Sequence, residues 1–185
     1  MNARRSDTKE RIQQVALELF AEQGYDKTSL REVAERLEIT RPALYYHFKA
    51  KEDILTSVID DLNGSIDELV EWARAQPHTE EARGEILRRI AALLNDHWRP
   101  LIRFAQVNQA VMSELPAGEQ MQRRMMTMIS VLSAPEDGLV RQFEARLAVI
   151  ALIMGSVPFL LDMEVPEEER SAVALTVAAK LVAGD

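Results

Sequence analysis

Apolar residues recur at helical spacing along almost the whole chain, and no segment alternates as a strand does. Ile12, Val15, Ala16, Leu19 and Phe20 fall at i, i+3, i+4, i+7 and i+8. Leu30, Val33, Ala34 and Leu37 repeat the pattern, as do Ile54, Leu55, Val58, Ile59, Leu62, Ile66, Leu69 and Val70. Breaks fall at Gly24, at Gln76-Pro77, at Leu115 to Gly118, at Ala134-Pro135 and at Val165-Pro166. The spacing predicts an all-α chain of about nine helices. They are expected over 7–23, 29–37, 41–47, 51–75, 79–97, 100–114, 117–133, 136–162 (with a bend at Pro158) and 167–183.

With 185 residues, 47% of them apolar, the chain is long enough to bury a real core. It has no cysteine, which excludes disulfides, thiolate zinc sites and thiol nucleophiles. Residues 1–10 carry five charges and no apolar run, so no secretory signal is expected. The longest uncharged stretch, Leu147 to Leu161, has 15 residues. A membrane span needs about 20. These readings predict a cytoplasmic protein with no membrane partner.

Charge divides the chain. The net charge is −8, yet residues 1–53 hold 10 basic and 10 acidic residues. The whole acidic excess lies in residues 54–185. A neutral head on an acidic body can still bind a polyanion if its cations share one face. We therefore take 1–53 and 54–185 as the two expected domains.

The head contains the most informative segment. Ser29-x-x-Glu32 has the form of a capping box opening a short helix whose inner face is Leu30, Val33, Ala34 and Leu37. A turn, Glu38-Ile39-Thr40, leads to a second short helix with Thr40 as cap and Pro42 in its first turn. These are the proportions of a helix-turn-helix. On the second helix Leu44 and Phe48 should face inward, leaving Arg41, Tyr45, Tyr46 and His47 outside. Ala43 is small enough to approach base edges. Tyrosine hydroxyls suit phosphate oxygens, and Lys49 and Lys51 can neutralise backbone charge. Thr28, Ser29 and Arg31 at the start of the preceding helix complete the expected contacts to double-stranded DNA.

The run Phe20-x-x-x-Gly24-Tyr25-x-x-Thr28-Ser29, then Val33-Ala34, then Leu44-Tyr45-Tyr46-His47-Phe48-x-x-Lys51-Glu52 resembles the DNA-binding domain of the TetR family of transcriptional regulators. The resemblance covers roughly residues 8–55. It implies that Arg41, Pro42, Ala43, Tyr45, Tyr46 and His47 belong to the recognition helix, and that Thr28 and Lys51 hold phosphates. Two positions depart from it. Glu38 stands where a small residue, usually Gly, is expected, and a left-handed backbone there would cost about 1 kcal/mol. Ala50 replaces a common polar residue and removes one helix cap.

A single short helix reads few base pairs, so a homodimer on a palindromic operator is expected. The segment 147–161 is apolar all round, and 171–183 carries one charge. From them we expect a four-helix dimer interface through Ala148, Ala151, Leu152, Gly155, Leu175, Ala178, Ala179 and Val182. The resemblance further implies a C-terminal helical domain that binds a small effector and releases DNA on binding it, with repression the commoner outcome. The Met-rich region around Trp98, Arg103, Phe104, Asn108, Met112, Met125 and Met128 is the expected site, and a mostly apolar ligand the expected effector.

No enzyme is expected. The three histidines lie in unrelated contexts, and no HExxH, phosphate loop or nucleophile elbow occurs. No cofactor and no metal are expected. The competing reading is a helical ligand-binding or adaptor protein that has lost DNA binding.

Overall fold

The computed structural model describes residues 2–95, 101, 104, 108, 116–134, 136–156 and 164–183. Among them lie eight α-helices and no strand: α1 (Asn2–Gln23), α2 (Leu30–Arg36), α3 (Arg41–His47), α4 (Lys51–Arg74), α5 (Glu80–Leu93), α6 (Pro116–Ser130), α7 (Leu139–Ser156) and α8 (Glu167–Ala183). The expected helix over 100–114, and Pro158, fall almost wholly outside the described residues.

The chain forms two compact units, one of Met1–Leu62 with Pro100–Glu119, the other of Asn63–Arg99 with Gln120–Asp185. The helix α4 begins in the first and ends in the second.

In the first unit the inward stripes close on one another. Ile12, Ala16 and Phe20 of α1, Val33 and Ala34 of α2, Leu44 of α3 and Ile54, Leu55 and Ile59 of α4 are all but fully buried. Phe20, Tyr25 and Phe104 form a cluster with ring centroids 5.0 to 6.0 Å apart, Tyr25 meeting both phenylalanines in the favourable edge-to-face arrangement. Asn108, expected at an effector site, instead ties this cluster together. Its Oδ1 accepts from the Tyr25 N–H at 3.1 Å, and its Nδ2 donates to the carbonyls of Phe20 and Phe104. Those bonds use most of what a carboxamide offers.

Two left-handed residues, Gly24 (φ 92) and Glu38 (φ 55), end helices in this unit. Glu38 donates its N–H to the Glu35 carbonyl and Ile39 to that of Ala34, the paired bonds that close a helix with a left-handed residue just past its end. Glycine adopts that backbone freely and glutamate does not. Glu38→Gly should therefore stabilise the protein by roughly 0.5–1 kcal/mol, raising Tm by about 1–4 °C in a thermal melt.

In the second unit α7 and α8 run antiparallel. Arg141 at the start of α7 donates to the Val182 carbonyl near the end of α8, and Arg170 at the start of α8 donates to the Gly155 carbonyl at the end of α7. The small residues expected at a dimer interface make this intrachain seam. Ala148, Leu152, Gly155, Ala178 and Val182 are buried within the single chain. A Cβ at Gly155 would lie 2.3 Å from the Ala174 Cβ. Of the expected interface residues, Ala151 and Leu175 are half-buried and Ala179 is exposed. Small residues signal close helix approach; they do not say which chain supplies the second helix.

Candidate nucleic-acid interface

The helix α3 is held by two apolar anchors and shows its other faces to solvent. Leu44 is 0% and Phe48 4% exposed, whereas Tyr45 is 43% and Tyr46 63% exposed. Arg41, Pro42 and Ala43 are exposed and His47 half-buried. The Tyr46 ring meets that of His47 edge-on at 5.4 Å.

The local sequence explains this placement. Ser29 caps α2 in full reciprocity: its Oγ accepts from the Glu32 N–H, and the Glu32 carboxylate accepts from the Ser29 N–H at 2.7 Å. Ser29's hydroxyl and N–H hold the Glu32 carboxyl below its ordinary pKa. The Thr40 Oγ1 accepts from the Ala43 N–H and caps α3. The cap missing at Ala50 is replaced from inside α4: the Asp53 carboxylate accepts from the N–H groups of Lys49 and Ala50 at 2.8 and 2.9 Å.

The cations divide into outward and inward sets. Arg31 and Arg41 are exposed and share one partner, the exposed Glu35, at 3.5 and 3.8 Å. Exposed pairs of this length contribute little. Lys49 is exposed and its ammonium donates to the Tyr45 carbonyl. Lys51 turns inward: its Nζ donates to the Tyr25 carbonyl at 2.6 Å and lies 4.3 Å from the Tyr25 ring centroid. Burial first, and Glu52 next, push the Tyr25 phenol well above its usual pKa, so it stays neutral. Thr28 is also internal. It is 2% exposed and its hydroxyl donates to the Gly24 carbonyl at 2.9 Å, so it locks the turn instead of facing a phosphate.

Glu35 is the carboxylate that both Arg31 and Arg41 face, and it would repel a phosphate approaching either. Glu35→Gln removes that repulsion and frees both guanidiniums. Its affinity for DNA should rise up to about fivefold at low salt, an effect of a surface ion pair's size, and the gain should shrink at high salt. Fluorescence anisotropy on labelled duplex checks it.

Of the expected effector residues, Phe104 and Met128 are buried and Met125 is half-buried. Trp98, Arg103 and Met112 lie outside the described residues. Sequence reasoning passed over Asn63 on α4. It is 3% exposed, and neither its Oδ1 nor its Nδ2 has a hydrogen-bond partner among the described residues. Its signal was an amide on the otherwise apolar stripe Ile59, Leu62, Ile66 and Val70.

The family model for "Bacterial regulatory proteins, tetR family" matches residues 12–58, which hold α2, α3, most of α1 and the start of α4. The chain is 41% identical over 63 residues to the HTH-type transcriptional regulator AcrR of Shigella flexneri, covering 34% of this chain and 29% of that one. It is 30% identical over 138 residues to the HTH-type transcriptional repressor Rv3405c of Mycobacterium tuberculosis, covering 75% of this chain and 64% of that one. The match therefore spans less than two thirds of either relative's length. A solved TetR/AcrR-family regulator from Thermobifida fusca is 28% identical with a TM-score of 0.51, covering 96% of this chain and 98% of that chain. With a matching family model, a helix-turn-helix built as those residues require and an all-helical fold like that of a solved TetR/AcrR-family regulator, residues 12–58 form a DNA-binding head of the TetR family of bacterial regulatory proteins.

Proposed function

We propose that this chain is a ligand-responsive DNA-binding transcriptional regulator, acting as a repressor on a palindromic operator as a homodimer. The observation that carries the reading is the split character of α3, with Leu44 and Phe48 buried and both tyrosine rings in solvent. An adaptor without DNA binding has no use for two exposed tyrosines beside Arg41 and Lys49. Arg31, Arg41 and Lys49 neutralise phosphates, Tyr45 and Tyr46 pack on sugar and base edges, and Ala43 allows close approach. The functional division is a head of 1–53 and a body of 54–185.

The test is an electrophoretic shift on the DNA upstream of the protein's own gene, at several salt concentrations. Specific binding should weaken with a log–log slope of about −0.9 per phosphate neutralised. Binding that ignores both salt and sequence would reject the reading.

The homodimer is expected to form through the outer faces of α7 and α8, not through the seam between them. Leu139, Val140 and Phe143 on α7 are 84%, 73% and 64% exposed, and Val173 and Val177 on α8 each 45%. Apolar surface of this extent on two helices suits burial against a second copy. Sedimentation at micromolar concentration should show a dimer.

A small, mostly apolar effector enters the body and shifts α4, whose first turns follow α3 in the chain, so that the dimer no longer fits adjacent major grooves. Asn63 supports this part of the reading. A buried amide with no partner costs about 1–3 kcal/mol, a cost that a ligand's polar group would offset. Asn63→Leu keeps the shape and removes both orphan atoms. It should raise the stability of the free protein by about 1–3 kcal/mol, read as a higher Tm, and blunt release from DNA by the effector.

A further inference from the structure

A cleft of about 590 Å³ lies in the second unit, between the end of α4, the start of α5, the end of α6 and the middle of α7. Its volume is in the range of small-molecule sites. Two things set it apart from the rest of this acidic unit. Its floor is apolar: Ile86 and Leu132, 5% and 4% exposed, both line it. Its walls are cationic: Arg74, Arg83 and Arg146, from three different helices, line it against one carboxylate, that of Glu136.

The arginines' partners make the contrast sharper. Elsewhere in this unit Arg88 and Arg89 are paired with Glu85, Arg124 with Asp67 and Arg141 with Glu144, and Arg170 donates to the Gly155 carbonyl. Arg74, Arg83 and Arg146 hold no carboxylate among the described residues. Among the described residues Arg146 bonds within its own helix, to the carbonyl and side-chain oxygen of Gln142. In a segment with more acids than bases, three such guanidiniums on one cleft with an apolar floor leave forked donors ready for a planar anion.

We propose that this cleft binds an organic anion with a compact apolar body, its carboxylate or phosphate held by Arg74, Arg83 and Arg146 and its body on Ile86 and Leu132. The site is separate from the α4 amide invoked above, and its existence does not depend on DNA binding.

Calorimetric titration of the full chain tests it with three matched probes: 2-naphthoate, 2-naphthyl phosphate and the neutral 2-naphthamide. Saturable one-site binding of an anionic probe is expected, at least tenfold tighter than the amide; whichever anion binds more tightly identifies the head group. Arg83→Gln and the Arg74→Gln/Arg83→Gln double variant change exposed or half-exposed side chains and should keep the wild-type circular dichroism. They should weaken the anion by about tenfold and by more than tenfold, and leave the amide unchanged. No saturable anion binding to the wild type, equal affinity for the amide, or unchanged anion affinity in a folded double variant would overturn the proposal. DNA affinity measured in parallel separates this outcome from a failure of the regulator reading.

Discussion

Replacing both exposed tyrosines, Tyr45→Ala with Tyr46→Ala, should cut specific DNA affinity more than a hundredfold and leave the fold intact. Tyr46 is 63% and Tyr45 43% exposed, so their removal opens no enclosed cavity; Leu44 and Phe48, which hold the helix, are untouched. Each ring lost from a base-and-sugar contact costs about 1–2 kcal/mol, and about 3 kcal/mol in all is more than a hundredfold. Tyrosine is neutral, so the salt dependence should stay near that of the wild type. Lys49→Ala should do the reverse, with a smaller loss of affinity at any sequence and a slope reduced by about 0.9. Anisotropy titrations at four salt concentrations separate the two. A thermal melt of the double tyrosine variant within about 2 °C of wild type confirms that the fold is unchanged.

The largest effect on stability should come from Gly155→Ala. The added methyl would sit 2.3 Å from the Ala174 Cβ, with the Arg170 carbonyl oxygen 3.5 Å away. The neighbour is a methyl on a helix backbone, with no rotamer to escape into, so α7 and α8 must part. That also loosens the bond from Arg170 to the Gly155 carbonyl. Overpacking of this kind costs about 2–3 kcal/mol, or roughly 4–12 °C in Tm for a chain of this size. Ala174→Gly in the same chain removes the clash and should recover a good part of the loss, less the roughly 1 kcal/mol of glycine's helix penalty. Gly64→Ala is the control. Among the described residues nothing lies within 4 Å of a Cβ there, on an exposed face of α4, so it should stabilise by about 0.5–1 kcal/mol.

What the sequence disclosed was local. The capping box at Ser29 and Glu32, the Thr40 cap, and the division of α3 into Leu44 and Phe48 within and Tyr45 and Tyr46 without all depend on residues three or four apart. What it hid was tertiary. Thr28 and Lys51 are polar and near the helix termini, yet each turns inward to carbonyls of the Gly24–Tyr25 turn, which no spacing announces. Asn108 is 83 residues from its partner Tyr25. The small residues of α7 and α8 were recognised as a close-packing surface, but spacing does not say which helix fills it, and at Gly155 the chain's own α8 does. The basic cleft was invisible for the same reason: Arg74, Arg83 and Arg146 come from three separate helices.

The account stands on α3 as an outward-facing reader of duplex DNA. The most direct measurement is selection of bound fragments from genomic DNA by the wild-type chain and by the Tyr45→Ala/Tyr46→Ala variant, followed by footprinting of whatever is enriched. The account predicts a small set of fragments sharing an inverted repeat, protected in two major-groove segments about 34–36 Å apart on one face of the duplex, and lost with the variant. Fragments enriched equally by the folded variant, or no enrichment by the wild type at low salt, would contradict it.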